Sequence, residues 1–140
     1  MKYKQMKTYT IEVNEEQLRA ISEACEFTSR FMAGQMETTH WPFRMGYKID
    51  RYNRNIVDAH VHYIKNLALG LKPHSSMGYG FDKTSDMLFE AYQTIRHALW
   101  LELDELTKEK TRMTLSANPP ILNASGVPFP KVKPNEPEKP

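Results

Sequence analysis

Apolar positions fall into three helical stripes, preceded by a short alternating segment and followed by a proline-rich stretch. From Lys7 to Val13, Tyr9, Ile11 and Val13 alternate with Thr8, Thr10 and Glu12, the period of two expected of a half-buried strand. Asn14 then reads as a helix N-cap. Glu15 and Glu16 occupy the first turn, where the helix dipole favours acids, and Gln17 stands at the capping-box position. Leu18, Ile21, Ala24, Cys25, Thr28, Phe31, Met32 and Gln35 recur at spacings of three and four, which predicts a first helix over about residues 15–38.

A second stripe, Ile56, Val57, His60, Val61, Ile64, Leu67, Ala68 and Leu71, predicts a helix over about residues 50–71, ended by Gly70 and Pro73. Residues 73–81 are rich in turn formers and read as a surface loop. The third and longest predicted helix begins between Asp82 and Ser85. Leu88, Ala91, Tyr92, Ile95, Ala98, Leu99, Leu103 and Leu106 form its stripe, interrupted by Glu102. Residues 111–116 alternate weakly, as a second strand would. Seven of the nine prolines follow, at 119, 120, 128, 130, 134, 137 and 140, and exclude a helix there.

The expected architecture is therefore mainly α: a three-helix core with a short N-terminal β-strand, able to form a small hairpin or sheet with residues 111–116, and an extended proline-rich C-terminal arm. Residues 1–116 make one helical domain and 117–140 the arm. Ile121, Leu122, Val127, Phe129 and Val132 are the arm's natural anchors, against its own domain or a neighbouring subunit.

Composition narrows the function classes. At 140 residues the chain suits one domain, and 40% hydrophobic content without any run of about 18 apolar residues excludes a membrane span. Nineteen Lys and Arg against 17 Asp and Glu leave a net charge of +2, too little basic excess for nucleic-acid binding, and no short basic recognition helix is apparent. One cysteine, Cys25, excludes an internal disulfide, and the first residues lack the apolar core of a secretory signal, so a reducing cytoplasmic setting is expected.

No catalytic constellation stands out. His60 and His62 are two residues apart on a predicted helix and point about 160° from each other, so the Asp58–His62 run does not predict a metal site; His60 reads as an interior histidine and His62 as solvated. Cys25 reads as a small core residue. Glu23, Glu26, Glu102 and Glu105 pair on helix faces, but their spacing departs from that of the magnesium-dependent all-α nucleotide pyrophosphohydrolases and fits solvated charges. No cofactor and no metal is expected.

Ligand-binding groups are more suggestive. Gly78-Tyr79-Gly80 before a helix start can offer backbone N–H groups to an anion, assisted by Lys72, His74, Ser75, Ser76 and Lys83, with Asp82 and Asp86 as competitors for those donors. Trp41, Phe43, Arg44 and Tyr47 can stack on a base and fix a phosphate, or pack the loop under the helices. Arg96 and His97 sit mid-helix beside Ile95, and the Arg96 fork suits a phosphate bidentately; Arg30 is a similar case. Tyr92 and Tyr79 add stacking surfaces.

The opening segment with Val13-Asn14-Glu15-Glu16-Gln17-Leu18, then Ser29-Arg30-Phe31-Met32-Ala33-Gly34-Gln35, Gly78-Tyr79-Gly80 and Ala91-Tyr92-Gln93-Thr94-Ile95-Arg96-His97 together resemble a group of small accessory proteins of tailed phages and prophages. The last stretch is similar to that group's "aYqvIRH" segment. These residues span roughly 8–100; the proline-rich end and Trp41 to Tyr47 have no counterpart. The resemblance implies a phage-encoded protein in the bacterial cytoplasm and carries no catalytic residues. Small phage proteins often act against host defence, some by sequestering a nucleotide alarm signal as a symmetric oligomer. The reading that follows is a homo-oligomer that binds a small anionic nucleotide-like ligand, of the ADP-ribose or cyclic type, without catalysis. Its candidate site residues are Arg96, His97, Arg30, Tyr92, Tyr79, Trp41, Lys83 and His74. The alternative is a protein–protein inhibitor of a host enzyme with no small ligand.

Overall fold

A computed structural model describes residues 6–110, 118–120 and 122–135. Its elements are α1 (Glu15–Met32), a 3-10 turn (Thr38–His40), α2 (Phe43–Gly46), α3 (Arg51–Leu69), α4 (Lys83–Leu101) and α5 (Glu105–Lys110). The mainly helical expectation holds.

The capping box at the start of α1 is formed in both directions: Gln17 N–H donates to Asn14 Oδ1 at 2.8 Å, and Asn14 N–H donates to Gln17 Oε1 at 2.9 Å. The helix ends at Met32 rather than near residue 38. Gly34, at φ +96, carries a Schellman termination in which Gln35 N–H reaches Arg30 O at 2.8 Å and Gly34 N–H reaches Phe31 O at 3.1 Å. The positive φ is what calls for glycine here; a Cβ would stand 2.5 Å from Leu71 Cδ1 and would require that side-chain end to shift. Asp50 and Asp82 cap α3 and α4 through Asn53 N–H and Ser85 N–H, both at 2.8 Å.

The packed centre is a pair of helices, α1 and α4. Small residues let their backbones approach: Ser29 Oγ donates to Ser85 O at 2.7 Å and Ser85 Oγ to Ser29 O at 3.0 Å. Below this seam, Ile95 and Leu99 collect Leu18, Ile21, Trp100, Leu103 and Val132. Beyond Leu101, Glu102 and Leu103 leave the helix, and α5 restarts at Glu105.

The third helix does not join that core as expected. Most of the predicted apolar stripe of α3 faces outward, with Ile64 52% and Leu67 67% exposed and Ile56, His60 and Ala68 exposed too, while Val57, Val61 and Leu71 are half-buried. Beside the half-buried Val57, Val61 and Leu69, α3 turns polar groups inward. Asp58 accepts from Thr38 N–H at 2.8 Å and from Thr38 Oγ1 at 3.0 Å, Arg54 Nη2 donates to Gly46 O at 2.6 Å, and Lys65 Nζ donates to Glu37 Oε1 at 2.8 Å. Asp58, His62 and Lys65 share one face at spacings of four and three. The histidine expectation is therefore reversed: His60 is solvated and His62 is half-buried.

The N-terminal strand does not form. Residues 6–14 carry no strand, with Tyr9 and Ile11 exposed. An isolated strand leaves its ladder groups unpaired, and the expected partner, residues 111–116, lies outside the described residues. The arm folds back on its own chain. Glu90, buried on α4, accepts from Asn123 Nδ2 at 3.0 Å, Ser125 N–H at 3.2 Å and Ser125 Oγ at 2.5 Å, while Val132 packs on Ile95 and Leu99. Of the expected anchors, Leu122 is exposed and Ile121 lies outside the described residues.

Candidate functional site

Two hollows flank α4. The smaller, about 130 Å³, is lined among others by Arg30, Gly78, Tyr79, Ser85, Asp86 and Phe89. Arg30 enters from α1 with its guanidinium carbon 5.9 Å from the Phe89 ring centre, donates to Gln35 Oε1 at 2.7 Å and lies 3.6 Å from Glu26. The anion seat expected at Gly78-Tyr79-Gly80 is already filled by the protein's own acids. Asp86 takes Gly80 N–H at 2.9 Å and Asp82 takes the first-turn donor of α4.

A row of rings continues along α4 from this hollow. Tyr79 to Phe89 and Phe89 to Tyr92 are each 5.7 Å between centres, and the Arg96 guanidinium lies 4.9 Å over Tyr92. Burial, and then the hydrogen bond to Glu26, push the Tyr92 phenol up to about 12. Burial and Glu90, 2.7 Å from its hydroxyl, do the same to Tyr79.

The larger hollow, about 360 Å³, opens between α4 and the arm. His97, Thr94, Ala98 and Leu101 line it from the helix, and Pro119, Pro120, Phe129, Pro130, Lys131, Val132 and Lys133 from the arm. Among the described residues on its wall, every ionisable one is basic. Its size falls within the range of small-molecule sites, which are mostly apolar with a few placed polar groups. His97 is oriented by stacking on Trp100, 6.4 Å between centres with the planes 13° apart.

The structure thus gathers Arg30, Tyr79, Tyr92 and Arg96 along one aromatic row and sends His97 to the larger hollow. Trp41, Lys83 and His74 join neither. Trp41 Nε1 donates to Met36 O at 2.9 Å and fastens its loop, whereas Phe43 and Tyr47 stack on each other in solvent. Lys83 is exposed in the first turn of α4. His74 lies against His62, 5.1 Å between ring centres. The acids considered for magnesium have local partners: Glu23 with Arg44, Glu26 with Arg30 and Glu105 with Lys108. Cys25 is half-buried, and burial raises its thiol pKa, which disfavours the thiolate.

Sequence reasoning missed Lys131 and Lys133 as site residues. The Lys131-Val132-Lys133 alternation was the available signal, since an extended segment puts both lysines on one side and the valine on the other. No helix among the described residues is long and apolar enough to cross a membrane. No protein-family model matches the chain, and no curated protein or solved structure matches it either.

Proposed function

We propose that this protein binds and retains a small phosphate-bearing nucleotide signal, of the ADP-ribose or cyclic type, as a homo-oligomer and without catalysis. The setting implied by its resemblance is a phage accessory protein acting against host defence in the bacterial cytoplasm. The observation that carries the reading is that the ionisable residues described on the larger hollow's wall, His97, Lys131 and Lys133, are all basic. His97, Lys131 and Lys133 neutralise phosphate, Phe129 offers a ring to the base, and Arg96 and Arg30 on the neighbouring row add positive field.

Charge-assisted hydrogen bonds contribute roughly 1.5–3 kcal/mol each, and a stacked base about 1–3 kcal/mol. These contacts act against the cost of immobilising the ligand. Assembly is supported by the outward residues Tyr52, Ile56, Tyr63, Ile64 and Leu67 of α3, exposed apolar surface of the kind that marks protein contacts.

That same row also favours the second reading, a protein–protein inhibitor that docks on a host enzyme. Native mass spectrometry of protein purified from infected cells separates the two. Retention requires a multiple of the subunit mass plus a nucleotide-sized adduct. A bare monomer, or a stoichiometric complex with one host protein and no adduct, contradicts it.

A further inference from the structure

Away from both hollows, the segment after α1 meets α3 and the 72–77 turn at Glu37, His62 and His74. Glu37 is 1% exposed, and its Oε1 lies 2.8 Å from Lys65 Nζ, 2.9 Å from His74 N and 3.6 Å from His62 Nε2. His62 Nε2 is buried and has no hydrogen-bond partner, an uncompensated polar atom that calls for a function. His74 is the one non-glycine with positive φ, +62, among the described residues. That conformation is strained for a residue with a Cβ. Here it aims the His74 amide at Glu37 and stands its ring edge-on to His62.

We propose that Glu37, His62 and His74 form a zinc site. One ligand atom from each of the three lies within 4.8 Å of the others. Two imidazoles and one carboxylate suit zinc rather than calcium or magnesium, which favour all-oxygen shells. Ligands about 2.1 Å from a tetrahedral zinc are about 3.4 Å apart, so the cluster closes by a rotation of the exposed His74 side chain. Three protein ligands leave a fourth position for water or an outside ligand. Lys65 and the His74 amide both donate to Glu37 Oε1 and fix the carboxylate's orientation, as outer partners do at metal centres. The Lys65 ammonium also opposes a second cation, which makes the site weaker than a structural zinc centre.

Zinc titration by calorimetry and cobalt absorption on the metal-stripped full chain test this, with His74→Asn, His62→Gln and His60→Gln as variants. Asparagine tolerates positive φ, so His74→Asn removes the ligand and keeps the turn; circular dichroism verifies each fold. The expected result is one zinc per chain, visible-region cobalt bands, at least tenfold weaker binding in His74→Asn and His62→Gln, and no change in His60→Gln. Absence of stoichiometric zinc binding, or equal affinity in His74→Asn and the wild type, overturns the proposal.

Discussion

Lys65 and Glu37 form an ion pair, Nζ to Oε1 2.8 Å, with both side chains sealed from solvent. Burial opposes ionisation of Glu37, but the Lys65 bond, the His74 amide and the Lys65 charge outweigh it and hold the carboxyl at about 2. Removing one partner of such a pair strands a buried charge, a loss of about 3–5 kcal/mol, whereas removing both costs much less than the sum. Urea denaturation of Lys65→Met is expected to show a loss of that order. Lys65→Met combined with Glu37→Gln should recover part of it; a strictly additive double variant would contradict the coupling.

Glu90 holds the arm. It receives donors from Asn123 and Ser125 and faces the Tyr79 hydroxyl. Glu90→Ala leaves those donors without their acceptor and is expected to speed proteolysis within residues 118–135 while the helical signal persists. Unchanged cleavage would contradict the role of Glu90 in retaining the arm.

Leu67 and Ile64 lie on the outward face of α3. The double variant Ile64→Glu/Leu67→Glu is expected to keep its circular dichroism and to sediment at a lower mass than the wild type. A wild type that already sediments as a monomer contradicts the assembly proposal.

Tyr79 and Tyr92 are raised to about 12 from an ordinary value of 10. A raised acid stabilises the fold fully below pH 10, and that contribution is lost as pH climbs through about 12. Ultraviolet titration should show late-ionising phenols, with Tyr92→Phe deleting part of that phase. Titration of all tyrosines near pH 10 would contradict the partial burial of Tyr92 and the pairing of both phenols with carboxylates.

Local signals were legible in the sequence wherever backbone chemistry decides. Asn14, Gln17, Asp50, Gly70 and Asp82 mark helix ends correctly because caps depend on neighbours only a few residues away. The Schellman glycine Gly34 was overlooked because the periodic pattern runs on past it. Periodicity also found the α3 stripe, but a stripe reports that a face is apolar and not what covers it. Here the inward face is held by Asp58, Arg54 and Lys65, whose partners Thr38, Gly46 and Glu37 lie 20, 8 and 28 residues away. The larger hollow needed knowledge of where residues 129–133 return, which no local pattern contains. His62 and His74 likewise come from different segments, so spacing along one helix could not unite them.

Calorimetric titration of ADP-ribose-type and cyclic nucleotides into wild-type protein and a His97→Ala/Lys131→Ala/Lys133→Ala variant addresses the retention reading at its site. Micromolar or tighter binding of at least one nucleotide, weakened tenfold or more in the variant and with the nucleotide recovered unaltered, is the expected result. No heat from any nucleotide, or equal affinity in wild type and variant, contradicts it.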